Sequence, residues 1–466
     1  MTEEMNVPGD PDAARKPALK KAIGPKLLLF FIIGDILGTT IYALTGEVAG
    51  KVGGALWLPF LVAFVVAFLT AFSYLELVGK YPKAGGAPLY VHKAFGVHLL
   101  TFLIAFAVMS SGITSASSAA EAFSGDYLEA IVGEDVSGWA WLVAIGFLVL
   151  LSVINYRGVS ESVRVNLVLT CVELAGLAIV IVFGAYALFT GTHSTDVDPD
   201  PGRLVEFDPD TSPLLAVTSA TALAFFAMVG FEDSVNMAEE TKNPTKTFPR
   251  ALLLGMAITA TIYLLIALVT STLVPTDTLA ASDGPLLLVV EAAAPWFPPV
   301  VFSLIALFAV TNTALINMMM ASRLVYGMAQ ERVIPPPFGV VHPTRRTPWV
   351  AILFTSLLAV ILVSSLEIAA LGSTTSLLLL MVFAVVNIAV LVLRRDKAEH
   401  EHFRAPTWVP VLGAISCAFF ASPLSGRPAT EYFVAGILLG IGLLFWVVNF
   451  LVRRRRAAFD PAKLRK

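Results

Sequence analysis

The sequence predicts an all-α integral membrane protein with twelve spans, and three observations predict it. Of the 466 residues, 57% are hydrophobic and only 14% charged, against roughly 25% charged in soluble domains. The mean hydropathy of +0.81 is concentrated in runs of about 20 residues, the length that crosses a bilayer core. Lysine and arginine, finally, fall almost entirely on one side. With a cytoplasmic amino terminus, twelve spans place both termini inside and leave only Lys51, Arg203 and Arg427 of the 31 basic residues outside, as the positive-inside rule requires for a plasma-membrane protein. The net charge of −3 says nothing of partners until charges are sorted by side, and no nucleic-acid partner is expected. Cys171 and Cys417 both sit in apolar runs, so neither a disulfide framework nor a zinc site is expected.

Residues 1–25, polar and carrying Pro8, Pro11 and Pro17, read as a disordered cytoplasmic tail. Spans follow at about 26–50, 55–78, 96–120, 138–156, 164–190, 213–238, 250–274, 297–326, 348–366, 369–393, 408–423 and 431–452, the eleventh being short. Glycine and proline punctuate their ends, as at Gly53-Gly54, Gly85-Gly86 and Pro335-Pro336-Pro337. Acids collect on the outer side. Glu121, Asp126, Glu129, Glu134 and Asp135 follow span three, and Asp196, Asp198, Asp200, Glu206, Asp208 and Asp210 lie in the loop 191–212; both sets read as solvated loops. Residues 453–466 form a basic cytoplasmic tail. Small residues at Ser110, Ser111, Ser115, Ser117 and Ser118 of span three, and Gly436 and Gly440 of span twelve, are expected to permit close helix packing, with substrate contact by Ser111 or Ser115 as the lesser reading.

Span one carries Gly34-Asp35-Ile36-Leu37-Gly38-Thr39-Thr40-Ile41-Tyr42 at its centre. Two glycines, two β-branched threonines and a carboxylate are poor choices for a lipid-facing helix interior, so the helix is expected to open here; a mere packing kink at Gly38 is the alternative. Opened backbone survives in hydrocarbon only where it lines a cavity. Span six repeats the pattern, with Gly230 at mid-run followed by Glu232-Asp233. Two adjacent acids facing lipid would cost several kcal/mol, so this segment must face protein or a water-filled cavity. Interrupted spans at corresponding positions of two inverted repeats point to a transporter's substrate site.

Four stretches carry a specific resemblance: Gly38-Thr39-Thr40-Ile41-Tyr42, Tyr81 to Tyr90, Gly230 to Phe248 with Ala238-Glu239-Glu240 and Asn243-Pro244, and Arg323 to Pro335 with Tyr326-Gly327-Met328-Ala329. In these the chain resembles the amino acid-polyamine-organocation permeases, in family order from span one to the loop after span eight. The stretch Glu161-Ser162-Val163-Arg164-Val165-Asn166 is similar as well. The resemblance implies the leucine-transporter-type fold: a first repeat at 26–190, an inverted second repeat at 213–393, and two further spans within 394–452. It places Thr40 where the family usually has glycine or serine, which narrows the gap in span one.

The half-helix starting near Thr39 offers free N–H groups and a positive dipole end to a carboxylate. Half-helices ending near Ile36 and Val229 offer carbonyls to an ammonium group, so a zwitterionic α-amino acid suits both poles. The resemblance implies the same arrangement, with carboxylate on the amides of Thr39 and Thr40 and amine on the carbonyls of Ile36, Phe226 and Val229. Phe226 or Phe231 closes over the ligand, or else simply packs. Ile36, Gly38, Thr39, Thr40, Ile41, Phe226, Val229, Gly230 and Phe231 are therefore the expected substrate-binding residues.

Glu173 stands where, by the resemblance, many cationic amino acid permeases place a lysine thought to replace a sodium ion. A buried glutamate there has three readings: it loads and releases a proton, ligates a cation, or stays protonated as a hydrogen-bond donor. Glu232 and Asp35 are the other proton-carrier candidates, with holding a helix end as the alternative reading for one of the three. Thr311, Asn312, Thr313 and Asn317 of span eight are read as facing inward, with Thr311 and Thr313 completing a cation site or bonding across helices.

No Gly-x-x-x-x-Gly-Lys-Ser/Thr loop is present and the six histidines lie at or near loops, so neither ATP use nor an intramembrane enzyme is expected; no cofactor or metal is called for. A proton suffices: crossing ~100 mV it releases about 2.3 kcal/mol, and each pH unit adds about 1.4 kcal/mol. The function expected is a secondary amino acid transporter working by alternating access, monomeric or homodimeric, coupled to a proton, with sodium coupling or no coupling ion as the alternatives. The alternatives are a polyamine or organocation permease or exchanger, and an amino acid sensor without net transport.

Overall fold

The computed structural model describes residues 23–82, 85–136, 138–157, 162–194, 198–330, 334–343, 345, 347–396 and 400–458. Most of both expected tails (1–22 and 459–466), together with Lys83, Ala84, Glu161, Asp196 and 331–333, lies outside the described residues, as do the side chains of Glu239 and Glu240. Among the described residues every regular element is helical. Ten helices are long and apolar enough to cross a membrane, and two shorter apolar ones, Trp349–Val363 and Trp408–Ala421, occupy the ninth and eleventh positions.

Spans one to five are Pro25–Ala43, Trp57–Lys80, His98–Phe123, Ala140–Arg157 and Ser162–Thr190. Span six begins as Pro213–Ala224, and spans seven, eight, ten and twelve are Pro244–Leu273, Pro299–Gln330, Ile368–Leu393 and Ala429–Ala458. Proline opens several of them, at Pro25, Pro213 and Pro244, where a missing N–H costs nothing. Spans four, five, nine, eleven and twelve turn large apolar side chains such as Leu150, Val168, Leu353, Ile415 and Leu444 outward. Spans one, three, six and ten are mostly buried and form the centre. Taking the end where span one begins as the near end, the bundle alternates direction, so spans three and five also begin there and span eight finishes there.

Polar ties replace the hydrophobic drive between helices in lipid. Ser73 of span two donates to the Asn387 side chain at 2.6 Å, and Asn387 donates to Thr70 at 3.0 Å. Thr114 and Thr375 join spans three and ten at 2.6 Å. At the near end Arg394 donates to both oxygens of Glu76, at 2.8 and 2.6 Å, and Glu76 also accepts from the Ala405 N–H. Removing the guanidinium leaves a buried carboxylate unpaired. Arg394→Ala is therefore expected to lower stability by about 3 kcal/mol, read as a fall in the denaturant midpoint of the detergent-purified protein.

Two sequence expectations are corrected here. A β-carbon at Gly436 or Gly440 would meet nothing within 4 Å, so these glycines face outward and permit no close packing within the chain; Gly442, against Phe106, is the one that does. The acids after span three are not simply solvated. Asp126 accepts from the Ser282 hydroxyl at 2.5 Å and the Gly284 N–H at 3.0 Å, and Glu129 accepts from the Val136 N–H at 3.1 Å. They fasten the far-end loops. Burial, reinforced by Asp126 and Glu129, holds the neighbouring Asp283 carboxyl above the ordinary range.

Candidate functional site

Span one is interrupted at Gly38, whose φ of 42° and ψ of −167° depart from the helix on either side. The left-handed φ suits glycine, and a β-carbon there would lie 2.9 Å from Thr313 Oγ1 of span eight. Beyond the break the chain runs Thr39–Ala43, turns at Leu44 and resumes as Thr45–Val52. Thr39 and Thr40 thus stand at the start of the helical segment that follows the break, the end at which a helix's N–H groups look outward for partners.

Span six is interrupted more thoroughly. Its α-helix stops at Ala224, tightens into a 3-10 turn over Phe225–Met228, becomes extended at Val229 and reverses at Gly230, where φ is 114°. A second 3-10 run, Asp233–Glu240, completes the crossing. Glu232 pins this turn, its carboxylate accepting the Gly230 N–H at 3.0 Å. That is the helix-end role foreseen for one of the three acids.

The two interruptions meet. A β-carbon at Gly230 would sit 2.6 Å from the Asp35 carbonyl oxygen and 3.2 Å from the Ile36 nitrogen, so the breaks abut backbone to backbone. Around them lies a cleft with about 320 Å³ of empty space, lined by Asp35, Ile36, Gly38, Thr39 and Thr40 of span one, Ser115 of span three, Phe226, Val229, Gly230 and Asp233 of span six, and Thr313 and Asn317 of span eight. A second cleft shares Val229, Asp233 and Asn317 and continues past Ser111, Glu232 and Thr375 to Leu324, towards the near end. On the far side Tyr42, Tyr127 and Phe302 pack edge-on or tilted with centroids 6.3 Å apart, and the Tyr127 hydroxyl donates to the Tyr42 carbonyl at 2.6 Å.

Of the expected substrate residues, Ile36, Gly38, Thr39, Thr40, Phe226, Val229 and Gly230 border the central cleft, whereas Ile41 and Phe231 do not. Phe231 turns the other way, packing 5.7 Å from the Tyr74 ring and 5.3 Å from Phe383. Of the two phenylalanines only Phe226 lines the cleft and is placed to cover a ligand. The Ile36 carbonyl is partly engaged, accepting the buried Tyr263 hydroxyl of span seven at 2.7 Å; the same hydroxyl bonds the Leu37 carbonyl. Tyr263, which braces the broken end of span one, was not singled out from sequence; Asp233 is read there as one of two adjacent acids turned from lipid, not as a site residue.

Among the coupling candidates, Asp35 and Thr313 border the cleft. Thr311 does not; its hydroxyl bonds back to Leu307 at 2.6 Å. Glu173 is fully buried, with neither carboxylate oxygen bonded. Its backbone carbonyl accepts the Tyr42 hydroxyl at 3.1 Å. One turn before it Thr170 abuts Gly34, where a β-carbon would overlap the threonine hydroxyl. Span five thus lays an unpartnered carboxyl beside the break of span one without entering the cleft.

Comparison with known proteins bears on the family of the chain. A family model described as amino acid permease matches residues 23–449. The chain is 25% identical to the branched-chain amino acid permease BcaP of Bacillus subtilis over 462 residues, 95% of each chain. It is 26% identical to the methylthioribose transporter of the same species, over 96% of each. It is also 26% identical to the human cationic amino acid transporter 4, over 83% of this chain and 62% of the relative.

Proposed function

We propose that this chain, which belongs to the amino acid permease family, carries an amino acid across the cytoplasmic membrane by alternating access and couples that movement to a proton. It is a multi-pass membrane transporter, and its relatives are transporters rather than enzymes. One observation carries the substrate reading: the interruptions of spans one and six abut. Thr39 and Thr40, at the start of a helical segment, and Phe226 and Val229, at the end of one, therefore border one cleft. A carboxylate is favoured on the first pair and an ammonium group on the second. In this reading the near end is cytoplasmic, repeats run over 26–190 and 213–393, and the cleft is open towards the cytoplasm and shut outside.

The coupling role falls to Glu173. A wholly buried carboxyl without a hydrogen bond is costly as an anion, so gaining and losing a proton as spans one and five move apart is the chemistry its place suits. Sodium in its stead would want several oxygen ligands pointed at one spot. A second substrate reading is favoured by one observation: two acids, Asp35 and Asp233, border the cleft. Both suit a substrate with an extra positive charge, a cationic amino acid or a polyamine.

Purified protein in liposomes separates these readings. Radiolabelled neutral and cationic amino acids and spermidine are offered with proton and sodium gradients imposed in turn. The expected result is accumulation of an α-amino acid under an inward proton gradient, unaffected by sodium. Spermidine uptake without amino acid uptake would overturn the zwitterion site, and binding without uptake or counterflow would leave a sensor.

A further inference from the structure

We infer that Arg427 is a positioning residue for the transport cycle: its guanidinium clamps the far half of span six against span ten and ties spans eleven and twelve to closure of the cleft's far side. The inference rests on the alternating-access reading above. Span eleven has only 14 residues, about 21 Å of helix at 1.5 Å per residue, less than the ~30 Å of a hydrocarbon core. In the loop after it Ser425 and Arg427 are buried while Leu424 is exposed. Gly426 of that loop, with φ 86°, lies against span six, where its β-carbon would be 2.8 Å from Leu215 and 3.1 Å from Ser219.

Arg427 follows, 7% exposed, and every N–H of its guanidinium is used. Nε donates to the Phe420 carbonyl at 2.7 Å. Nη1 donates to the Ser373 carbonyl at 2.9 Å and to Glu431 at 2.6 Å. Nη2 donates to the Ala222 carbonyl at 2.9 Å and to the Ser376 hydroxyl at 2.7 Å, while Ser376 itself donates to Ala222 at 2.5 Å. Packing alone does not explain a charge buried at this depth, since apolar residues fill such space at no desolvation cost.

The position of Ala222 gives the clamp its purpose. It lies in the last turn of Pro213–Ala224, the negative end of the half-helix dipole, which a cation steadies. Three residues on, the chain enters the 3-10 turn that carries Phe226. Gly372, beside Ser373, meets the same ring: a β-carbon there would be 2.9 Å from Phe226 and 2.6 Å from Leu44. The guanidinium, the end of half-helix six and the aromatic cover of the cleft thus form one contiguous body. Swinging the far half of span six outward breaks two bonds to Ala222 and strands buried donors, so Arg427 weights the equilibrium towards the far-closed state.

A reporter that reads opening rather than flux tests this. Ser118→Cys on span three, buried and one turn beyond the cleft residue Ser115, is placed in a Cys171→Ser, Cys417→Ser background. It is then titrated from outside with a membrane-impermeant methanethiosulfonate. Arg427→Ala is expected to speed labelling by about tenfold or more. Arg427→Lys should give nearly the same increase, because an ammonium group cannot serve five acceptors in a plane. If Arg427→Ala fails to elute as a folded species, Ser376→Ala is read instead, with acceleration of about threefold expected. Labelling within about twofold of the parent in folded variants would reduce Arg427 to a static anchor and overturn the inference. No substrate is needed, so that failure is separate from a failure of the amino acid assignment in the uptake assay.

Discussion

Gly230→Ala is expected to cut transport by about 100-fold or more, the penalty for misplacing reacting or binding groups by about 1 Å. The φ of 114° is one that side-chain-bearing residues rarely adopt. The added carbon would also lie 2.6 Å from the Asp35 carbonyl oxygen and 2.8 Å from its carbon. Neither atom is the end of a flexible side chain. Relief requires the two interrupted spans to part, which pulls Val229 away from Thr39 and Thr40. At Gly38 the obstacle is the Thr313 hydroxyl, 2.9 Å away, which has a rotamer to turn to, so Gly38→Ala is expected to be milder despite its φ of 42°. Initial uptake rates in liposomes check both, with the elution profile in detergent as the control for folding. Full activity in Gly230→Ala would show that the close approach of the breaks is dispensable.

The second large effect is expected at Glu173. Glutamine there cannot take up a proton, so Glu173→Gln should abolish accumulation driven by a pH gradient while leaving substrate counterflow intact. The loss is from a few hundred-fold accumulation, the ceiling set by about 3.7 kcal/mol of proton-motive energy, to simple equilibration. Glu232 makes the contrast. Its carboxylate holds the Gly230 N–H, so Glu232→Ala is expected to slow counterflow and accumulation together. Measuring both modes on the same vesicles separates coupling from positioning, and unaltered pH-driven accumulation in Glu173→Gln would remove Glu173 as the carrier.

Much of this architecture was legible in the residues because the bilayer constrains so heavily. Runs of apolar residues have one available structure, and glycines beside carboxylates within them have few places to go. The positions of both interruptions followed from that. What was not legible depends on side-chain direction after a break. Once Gly230 reverses the chain and a 3-10 run replaces 3.6-residue periodicity, a helical wheel no longer tells which face Phe231 or Asp233 presents. Thr311 was a different kind of miss. Two positions along a helix differ by about 200°, so Thr311 and Thr313 could not both face the cleft, and the register of Thr313 with Asn317 already favoured the latter pair. Tyr263 and Arg427 gave no local signal at all. A tyrosine in a long apolar span and an arginine in a short loop take their meaning only from the carbonyls that distant elements bring to them.

The isolated bridge between Ile23 and Thr241, with the Lys242 N–H donating to the Ile23 carbonyl at 2.9 Å, joins the entrance of span one to the exit of span six. Both atoms of that bond are main-chain atoms, so side-chain variation at Ile23 and Lys242, proline at the donor aside, leaves the bond available. Substrate preference is thereby free to drift in the cleft while the mechanical linkage beneath it stays constant.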